Sequence, residues 1–203
     1  MRLTTSLGIL YGRCDRYADL AKTLLQRVPI FTDLTELERS TISNRSIKLF
    51  TLSGIYQATQ ALLAGLDEQP ADAQLDQAVA FWIEVSRHVP DWGLARERKV
   101  SAADLRRDYV HAHTLALSAL ARVGRDLLAK HGRHWRQKLA RLASLDWSRR
   151  NTALWEGRAM NAGRLSKRSV NTVLTGNVIK KHLGLELSAE EEALETQFRR
   201  GQS

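Results

Sequence analysis

The chain has 203 residues, of which 43% are hydrophobic, and its formal net charge is +9 at pH 7. This apolar content excludes an intrinsically disordered protein, and the length is sufficient for one sizeable hydrophobic core. The sequence lacks both the run of about 18 apolar residues that a membrane span needs and a secretory leader, so we expect a cytoplasmic protein. Because Cys14 is the single cysteine, an internal disulfide is excluded.

The positive charge is concentrated in residues 106–181, which contain seventeen Lys or Arg and four Asp or Glu. The rest of the chain is slightly acidic. Because like charges repel one another, such a concentration usually faces a polyanion, most often the phosphates of a nucleic acid. For the charge alone, a solvated helical surface rich in arginine is the alternative.

Apolar residues recur at helical spacing through most of the chain, while strand-like alternation and hairpin turn signals are missing, which predicts an all-α fold. In the first half, three stripes of apolar residues predict helices within residues 17–28, 46–64 and 75–85. Pro29 should end the first helix, and Gly65, as a left-handed residue, should end the second. Residues 90–93, with the sequence PDWG, are typical of a turn-rich linker.

In the second half, Ser101 and Asp104 predict the start of the longest helix, which should stop or kink at Gly132. Residues 146–168, which we call the basic loop, lose helical periodicity and should be irregular. The other predicted helices are a short one at residues 135–142, one at 169–183 before Gly184, and an acidic one after the capping box of Ser188 and Glu191. We expect one compact helical domain over residues 1–203, with six to seven helices and a DNA-facing part at about residues 106–184.

The segment at residues 41–48, TISNRSIK, places hydroxyl and amide groups beside Arg45 and Lys48, just before the second predicted helix. The free amides and the dipole of a helix start favour an anion, and Arg45 can bind a phosphate through two N–H groups. This segment is therefore a candidate phosphate contact. In the alternative interpretation, Ser43 or Ser46 merely caps the helix.

Within the basic loop two tryptophans are interleaved with three arginines: Trp147, Trp155, Arg149, Arg150 and Arg158. Indoles can stack on unpaired bases, and arginine can bind both phosphate and guanine. Alternatively the indoles anchor the loop to the core, which is the role we predict, because the bases of duplex DNA are already stacked on one another. Cations and hydroxyls continue into the next helix start, at Arg164, Ser166, Lys167, Arg168 and Ser169.

No catalytic or metal-binding motif accompanies the basic segment. His111 and His113 point to different faces of a helix, and His113, on the apolar stripe, is expected to be a core histidine rather than a metal ligand. The sequence has no Walker-type phosphate loop, dinucleotide glycine fingerprint, nucleophile elbow or paired-carboxylate motif. We therefore expect no enzymatic activity, no cofactor and no bound metal.

Four longer passages are similar to one known family: residues 6–11 (SLGILY), 41–56 (TISNRSIKLFTLSGIY), 145–167 (LDWSRRNTALWEGRAMNAGRLSK) and 177–185 (NVIKKHLGL). They resemble the carboxy-terminal half of the DndB family of DNA sulfur-modification (phosphorothioation) proteins, over nearly the full chain. The Asp-Gly-Gln-His-Arg string of that family's amino-terminal region does not occur here. The chain therefore looks like a shortened form, and steps that depend on that region are not carried over.

The resemblance implies a DNA-binding accessory or regulatory protein of a bacterial system that replaces a non-bridging phosphate oxygen by sulfur. We predict duplex DNA as the partner, with other DNA sulfur-modification proteins as further partners and no membrane contact. The predicted DNA contacts are Arg45, Lys48, Arg149, Arg150, Arg158, Arg164, Lys167 and Arg168. The alternative function is a protein interaction module that docks onto the sulfur-modification enzymes.

Overall fold

The structure is a computed structural model that describes residues 5–12, 15–66, 69–166 and 168–201. Cys14 and Lys167 lie outside the described residues. The described part contains twelve α-helices: α1 Thr5–Leu7, α2 Arg16–Arg27, α3 Pro29–Leu34, α4 Leu52–Leu63, α5 Ala71–His88, α6 Pro90–Arg96, α7 Ala102–Asp108, α8 Thr114–His131, α9 Trp135–Leu139, α10 Thr152–Trp155, α11 Ser169–Leu183 and α12 Ala189–Arg200.

Strands are few and short. β1 (Thr35–Glu36) pairs in parallel with β2 (Phe50–Thr51), and β3 (Met160–Asn161) pairs antiparallel with β4 (Arg164–Leu165) inside the basic loop. The predicted helical class is therefore confirmed, whereas the prediction of six to seven helices is too low. None of the described helices is long and apolar enough to cross a bilayer.

Proline is one reason why the helix count is higher than predicted. Pro29 ends α2 as expected, but it is also the first residue of α3. Pro90 likewise begins α6, so the prediction of a linker at residues 90–93 is wrong. Because the fixed φ of proline suits the first position of a helix, a proline can start a helix as well as stop one.

The predicted longest helix is divided. Ser101 caps α7 through a hydrogen bond from the Asp104 amide (3.4 Å), but α7 ends at Asp108 and α8 begins only at Thr114. Between them, Tyr109 has extended backbone and forms an isolated β-bridge with Ser148 of the basic loop. This long-range pairing explains the break, because a residue paired to another segment cannot continue the helix.

Helix α4 starts five residues later than its predicted position after Ser46. Its cap is Thr51, whose hydroxyl accepts the amide of Gly54 at 3.1 Å. The hydroxyls of Ser43 and Ser46 instead accept the amides of Arg45 and Lys48, two residues further on, in local turns. Residues 41–48 are therefore a loop, and neither serine caps a helix.

Helix α8 lies at the centre and packs against α4 on one side and α11 on another. Gly124 of α8 allows α4 and α5 to pack closely against α8, because a Cβ at this position would lie 2.4 Å from Phe81 of α5 and 2.8 Å from Leu62 of α4. Helix α12 packs on α11. It begins with the predicted capping box of Ser188 and Glu191, and Gly184 ends α11 with a φ of 68°.

Aromatic side chains form a continuous path through the core, with ring centroids of successive members 5.1 to 6.3 Å apart. In order of contact its members are Trp135, Phe81, Trp82, Phe31, Phe50, Trp92, His111, Trp147 and Trp155. The path joins the packed helices of the first half to the basic loop.

Candidate anion-binding cleft and basic rim

A cleft of about 700 Å³ opens between residues 41–48 and the basic loop. Its cationic lining comes from Arg106 and Arg107 of α7 and from Arg149 of the loop, and His113 lies beside them. Hydroxyl and amide groups complete the polar lining, at Ser40, Thr41, Asn44, Thr51, Thr114 and Ser166. No carboxylate is among the described residues that line this cleft, which therefore attracts anions.

Arg106 fastens residues 41–48 to α7. Its Nη2 donates to the carbonyl oxygens of Ser43 (3.0 Å) and Asn44 (3.1 Å), and its Nη1 donates to the carbonyl of Lys48. Burial lowers the pKa of this guanidinium, but an arginine remains charged at any physiological pH. Arg106 thus holds one wall of the cleft and brings a positive charge to it.

Arg149 fastens the opposite wall. Its Nη1 donates to the carbonyl of Arg107 (2.8 Å) and its Nη2 to that of Gly163 (2.7 Å), so one side chain joins α7 to the tight turn between β3 and β4. The backbone amide of Arg149 also donates to the Asp108 carbonyl at 2.9 Å. The loop around Arg149 is therefore positioned by bonds to α7.

His113 is neutral and lines the cleft together with Arg106 and Arg149. Its Nε2 is 2.7 Å from the carbonyl oxygen of Arg106; because a carbonyl only accepts, Nε2 carries the proton and donates it. Burial, together with the positive charges of Arg149 and Arg106, lowers the pKa of His113 to about 4. The prediction of a hydrogen-bonded core histidine is met in part: His113 has its hydrogen bond, but its side chain is half-buried and lines the cleft instead of the core.

Four of the predicted DNA contacts are exposed and lie close in the sequence to residues of the cleft lining: Arg45, Arg150, Arg164 and Arg168. We call them the basic rim. Each lies within two residues of a side chain that lines the cleft, and in the described part of the chain no carboxylate forms an ion pair with any of them. Lys48 is half-buried, and its Nζ donates to the Asp33 carbonyl at 2.8 Å.

The sequence pattern of the DndB family, described as DNA-sulfur modification-associated, matches residues 1–186. The chain belongs to the DndB family. This match confirms the resemblance, and it includes the cleft and the whole basic rim. It also associates the protein with DNA sulfur modification. No curated protein and no solved structure matches the chain.

The family match ends before α12. Contacts with α12 are the reason why Arg158 is not part of the rim. Arg158 forms a two-bond ion pair with Glu195 of α12, with Nη2 and Oε2 2.9 Å apart, and its guanidinium lies 4.3 Å from the centroid of the Phe198 ring. Its side chain is 14% exposed. Arg158 was predicted to contact DNA, but its charge is already compensated inside this DndB-family protein.

Two lysines near the end of α11 are compensated in the same way. Lys180 is buried and pairs with Glu191 and Asp126, and Lys181 pairs with Glu195 at 2.8 Å. The sequence predicts these lysines as favourable charges at the negative end of α11, but in the structure they also fasten α12 and α8 to it. The positive charge available to a ligand is therefore smaller than the amino-acid count suggests.

The indoles of the basic loop are anchors. Trp155 is fully buried, and Trp147 is 6% exposed. The two rings are stacked, with centroids 5.5 Å apart, and the Nε1 of Trp155 donates to the Asp146 carbonyl at 2.9 Å. Neither ring is available to stack on a base in this conformation, which supports the predicted anchoring role.

Sequence reasoning missed Arg106 and His113 as residues of a binding site. Arg106 binds carbonyls that lie 58 to 63 positions away in the chain, a contact that local spacing cannot predict. The available signal was the Arg106–Arg107 pair at the start of the basic segment. Among the described residues, no cluster of three or more His, Cys, Asp or Glu side chains could hold a metal ion.

Proposed function

We propose that this protein is a DNA-binding accessory or regulatory protein of a bacterial DNA sulfur-modification system. The basic rim carries the proposal, because its four arginines are exposed and have no carboxylate partner within the described residues. Exposed arginines that form no internal ion pair gain affinity from phosphates by releasing the counterions that surround DNA. The family match, with its link to DNA sulfur modification, agrees with this partner.

The anchoring of the basic loop supports direct phosphate contact. Trp147 and Trp155 fix the loop from the core, and Arg149 fixes it to α7. A loop that is held in place before binding loses less conformational entropy when it meets its partner. Since phosphate contacts position a protein on DNA without reading its sequence, the rim accounts for affinity rather than for a recognition sequence.

The test is binding of a fluorescent DNA duplex at low salt, with no other protein present. The double variant Arg164→Gln/Arg168→Gln removes two rim charges. The matched control, Arg122→Gln/Lys130→Gln, removes two charges from α8, further along the helix than its cleft-facing start at Thr114. We expect the rim variant to lose considerably more affinity than the control.

Equal losses in both variants would show a diffuse attraction to the whole basic segment and would remove the rim from the proposal. Absence of duplex binding by the folded wild-type protein would contradict DNA binding altogether. That second result would favour the alternative function, in which the rim meets an acidic surface of a sulfur-modification enzyme.

A further inference from the structure

We propose that the cleft between residues 41–48 and the basic loop binds a small phosphomonoester attached to an apolar or aromatic group, the chemistry of a nucleoside monophosphate. This site is distinct from the duplex contact of the basic rim, and the proposal does not depend on DNA binding. Four features of the cleft carry it: cations without a carboxylate ion pair, the start of α8, a two-sided lining and a suitable size.

Arg106 and Arg149 are the cations of the cleft that have no carboxylate ion pair among the described residues. Both side chains are half-buried, and each donates hydrogen bonds to backbone carbonyls rather than to carboxylates. The acids of α7, Asp104 and Asp108, form their ion pairs with Arg107, while the charge of Asp108 also acts on Arg149 from beyond ion-pair distance. A charge removed from water is costly unless it is paired, so a bound phosphate would supply the direct ion pair that no carboxylate of the described residues makes with Arg106 or Arg149.

The start of α8 adds to the attraction for an anion. This 18-residue helix begins at Thr114 in the cleft wall and has no side-chain cap. A helix start of this kind presents amide N–H groups and the positive end of the helix dipole. Together with the two guanidinium groups, it directs the phosphate of a ligand toward the wall formed by Arg106, His113 and Thr114.

The rest of the lining determines the class of ligand. Ile42, Leu49, Leu115 and Leu165 form apolar parts of the wall, beside the cations. An inorganic ion would leave these side chains without a contact, whereas a phosphomonoester with an apolar or aromatic group fits both surfaces. The volume of about 700 Å³ is within the usual range for small-molecule pockets, roughly 300 to 1,000 Å³.

The experiment uses adenosine monophosphate as the probe, measured by titration calorimetry on the full chain, with adenosine and inorganic phosphate as reference ligands. We expect saturable binding of the monophosphate. Each reference ligand should bind at least about tenfold more weakly, because it lacks either the charged contact or the apolar one. Equal affinity for inorganic phosphate, or no saturable binding of the monophosphate, would overturn the proposal.

A matched pair of variants tests the location. Thr41 lines the cleft and is exposed, so its replacement should leave the fold unchanged. Thr41→Glu places a carboxylate in the cleft and should weaken binding at least about tenfold, whereas Thr41→Gln has a similar shape without the charge and should retain it. Equal affinity of the two variants would place the ligand elsewhere and contradict the proposal.

His113 provides a spectroscopic readout at the site itself. A bound phosphate favours the protonated imidazole, so the pKa of His113, which is about 4 without ligand, should rise when the probe binds. Histidine-selective NMR titrations with and without the probe measure this change, and an unaltered pKa would contradict the proposal.

The rim variant tests whether the cleft and the rim are separate sites. The Arg164→Gln/Arg168→Gln variant should retain probe binding even where it loses duplex affinity. A parallel loss of both would show that probe and duplex share one site and would contradict the proposal of a separate site.

Discussion

Trp155 anchors the basic loop in the core. The ring has no exposed surface, it is parallel to Trp147 within 11°, and its Nε1 donates to the Asp146 carbonyl. The role of the two indoles as anchors was predictable from the sequence, because duplex DNA, the predicted partner, offers no unpaired base to an exposed indole. Their mutual stacking was not, since it depends on the path of the chain between them.

We predict that Trp155→Ala lowers the free energy of unfolding by roughly 3 to 5 kcal/mol, the usual cost of truncating a buried aromatic side chain. Duplex affinity should fall with it, because the loop then loses its support. Trp155→Phe should preserve most of both properties, since it keeps an aromatic ring beside Trp147 and gives up one hydrogen bond and part of the buried ring area. Urea unfolding and duplex titration measure the effects, and an unaltered unfolding midpoint with lost binding would indicate direct contact with the ligand instead.

Helix ends were predicted well where their signal is local. Ser101, Ser188 and Gly184 act within three or four residues of the helix ends that they mark. The break between α7 and α8 was not predictable in this way, because it results from pairing of Tyr109 with Ser148. The sequence pattern therefore predicted one long helix, whereas the structure has α7 and α8 with an extended residue, Tyr109, between them.

Two serines allow a direct test of capping. Ser101→Ala removes the cap of α7 and should lower the free energy of unfolding by about 1 kcal/mol. Ser46→Ala, by contrast, removes a hydroxyl that accepts an amide only in a loop turn, and we expect a change within about 0.5 kcal/mol. Equal unfolding midpoints for the two variants would show that the Ser101 hydroxyl does not stabilise the helix start.

Helix α12 makes stability sensitive to acid. Burial alone would raise the pKa of Glu195, but hydrogen bonds from Arg158 and Lys181 outweigh it and lower this pKa to about 2. Because the folded pKa lies below that of the unfolded chain, the ion pair contributes stability above about pH 4.3, and this contribution is lost as the pH falls toward 2.

We therefore predict that wild-type protein loses more stability than Glu195→Gln between pH 5 and pH 2, by on the order of 3 kcal/mol. At pH 7 the variant should be less stable than wild type, since it leaves Arg158 half-buried without its partner. Glu192→Gln, an exposed position on the same helix, is the control and should follow the wild-type profile. Parallel pH profiles for Glu195→Gln and wild type in urea unfolding would contradict this account.

At the scale of the whole molecule, three segments that are distant in the sequence form one basic surface. Arg106 holds residues 41–48, and Arg149 holds the turn at Gly163. The helical class, the anchored loop and the position of the excess charge could be predicted from composition and spacing. The cleft could not, because bonds between residues about 14 to 63 positions apart create it, and local periodicity carries no information about them.

If the four rim arginines each neutralise one phosphate, the logarithm of duplex affinity should fall with the logarithm of salt concentration with a slope near −3.6. The Arg164→Gln/Arg168→Gln variant should reduce that slope to about −1.8, since each phosphate contributes roughly 0.9. Fluorescence anisotropy at several salt concentrations measures both values. A wild-type slope close to zero would mean that binding does not depend on phosphate charge.

The aromatic path also determines how this protein interacts with light. All five tryptophans of the chain belong to it, so their emission reports on the interior, and excitation of one indole can pass through space to its neighbours. The stacked pair of Trp147 and Trp155, with ring centroids 5.5 Å apart, is close enough for their transition dipoles to couple, and we expect a circular dichroism signal in the ultraviolet absorption region of the indoles. If the basic loop left the core, this signal would disappear. The position of the loop can therefore be followed without any attached dye.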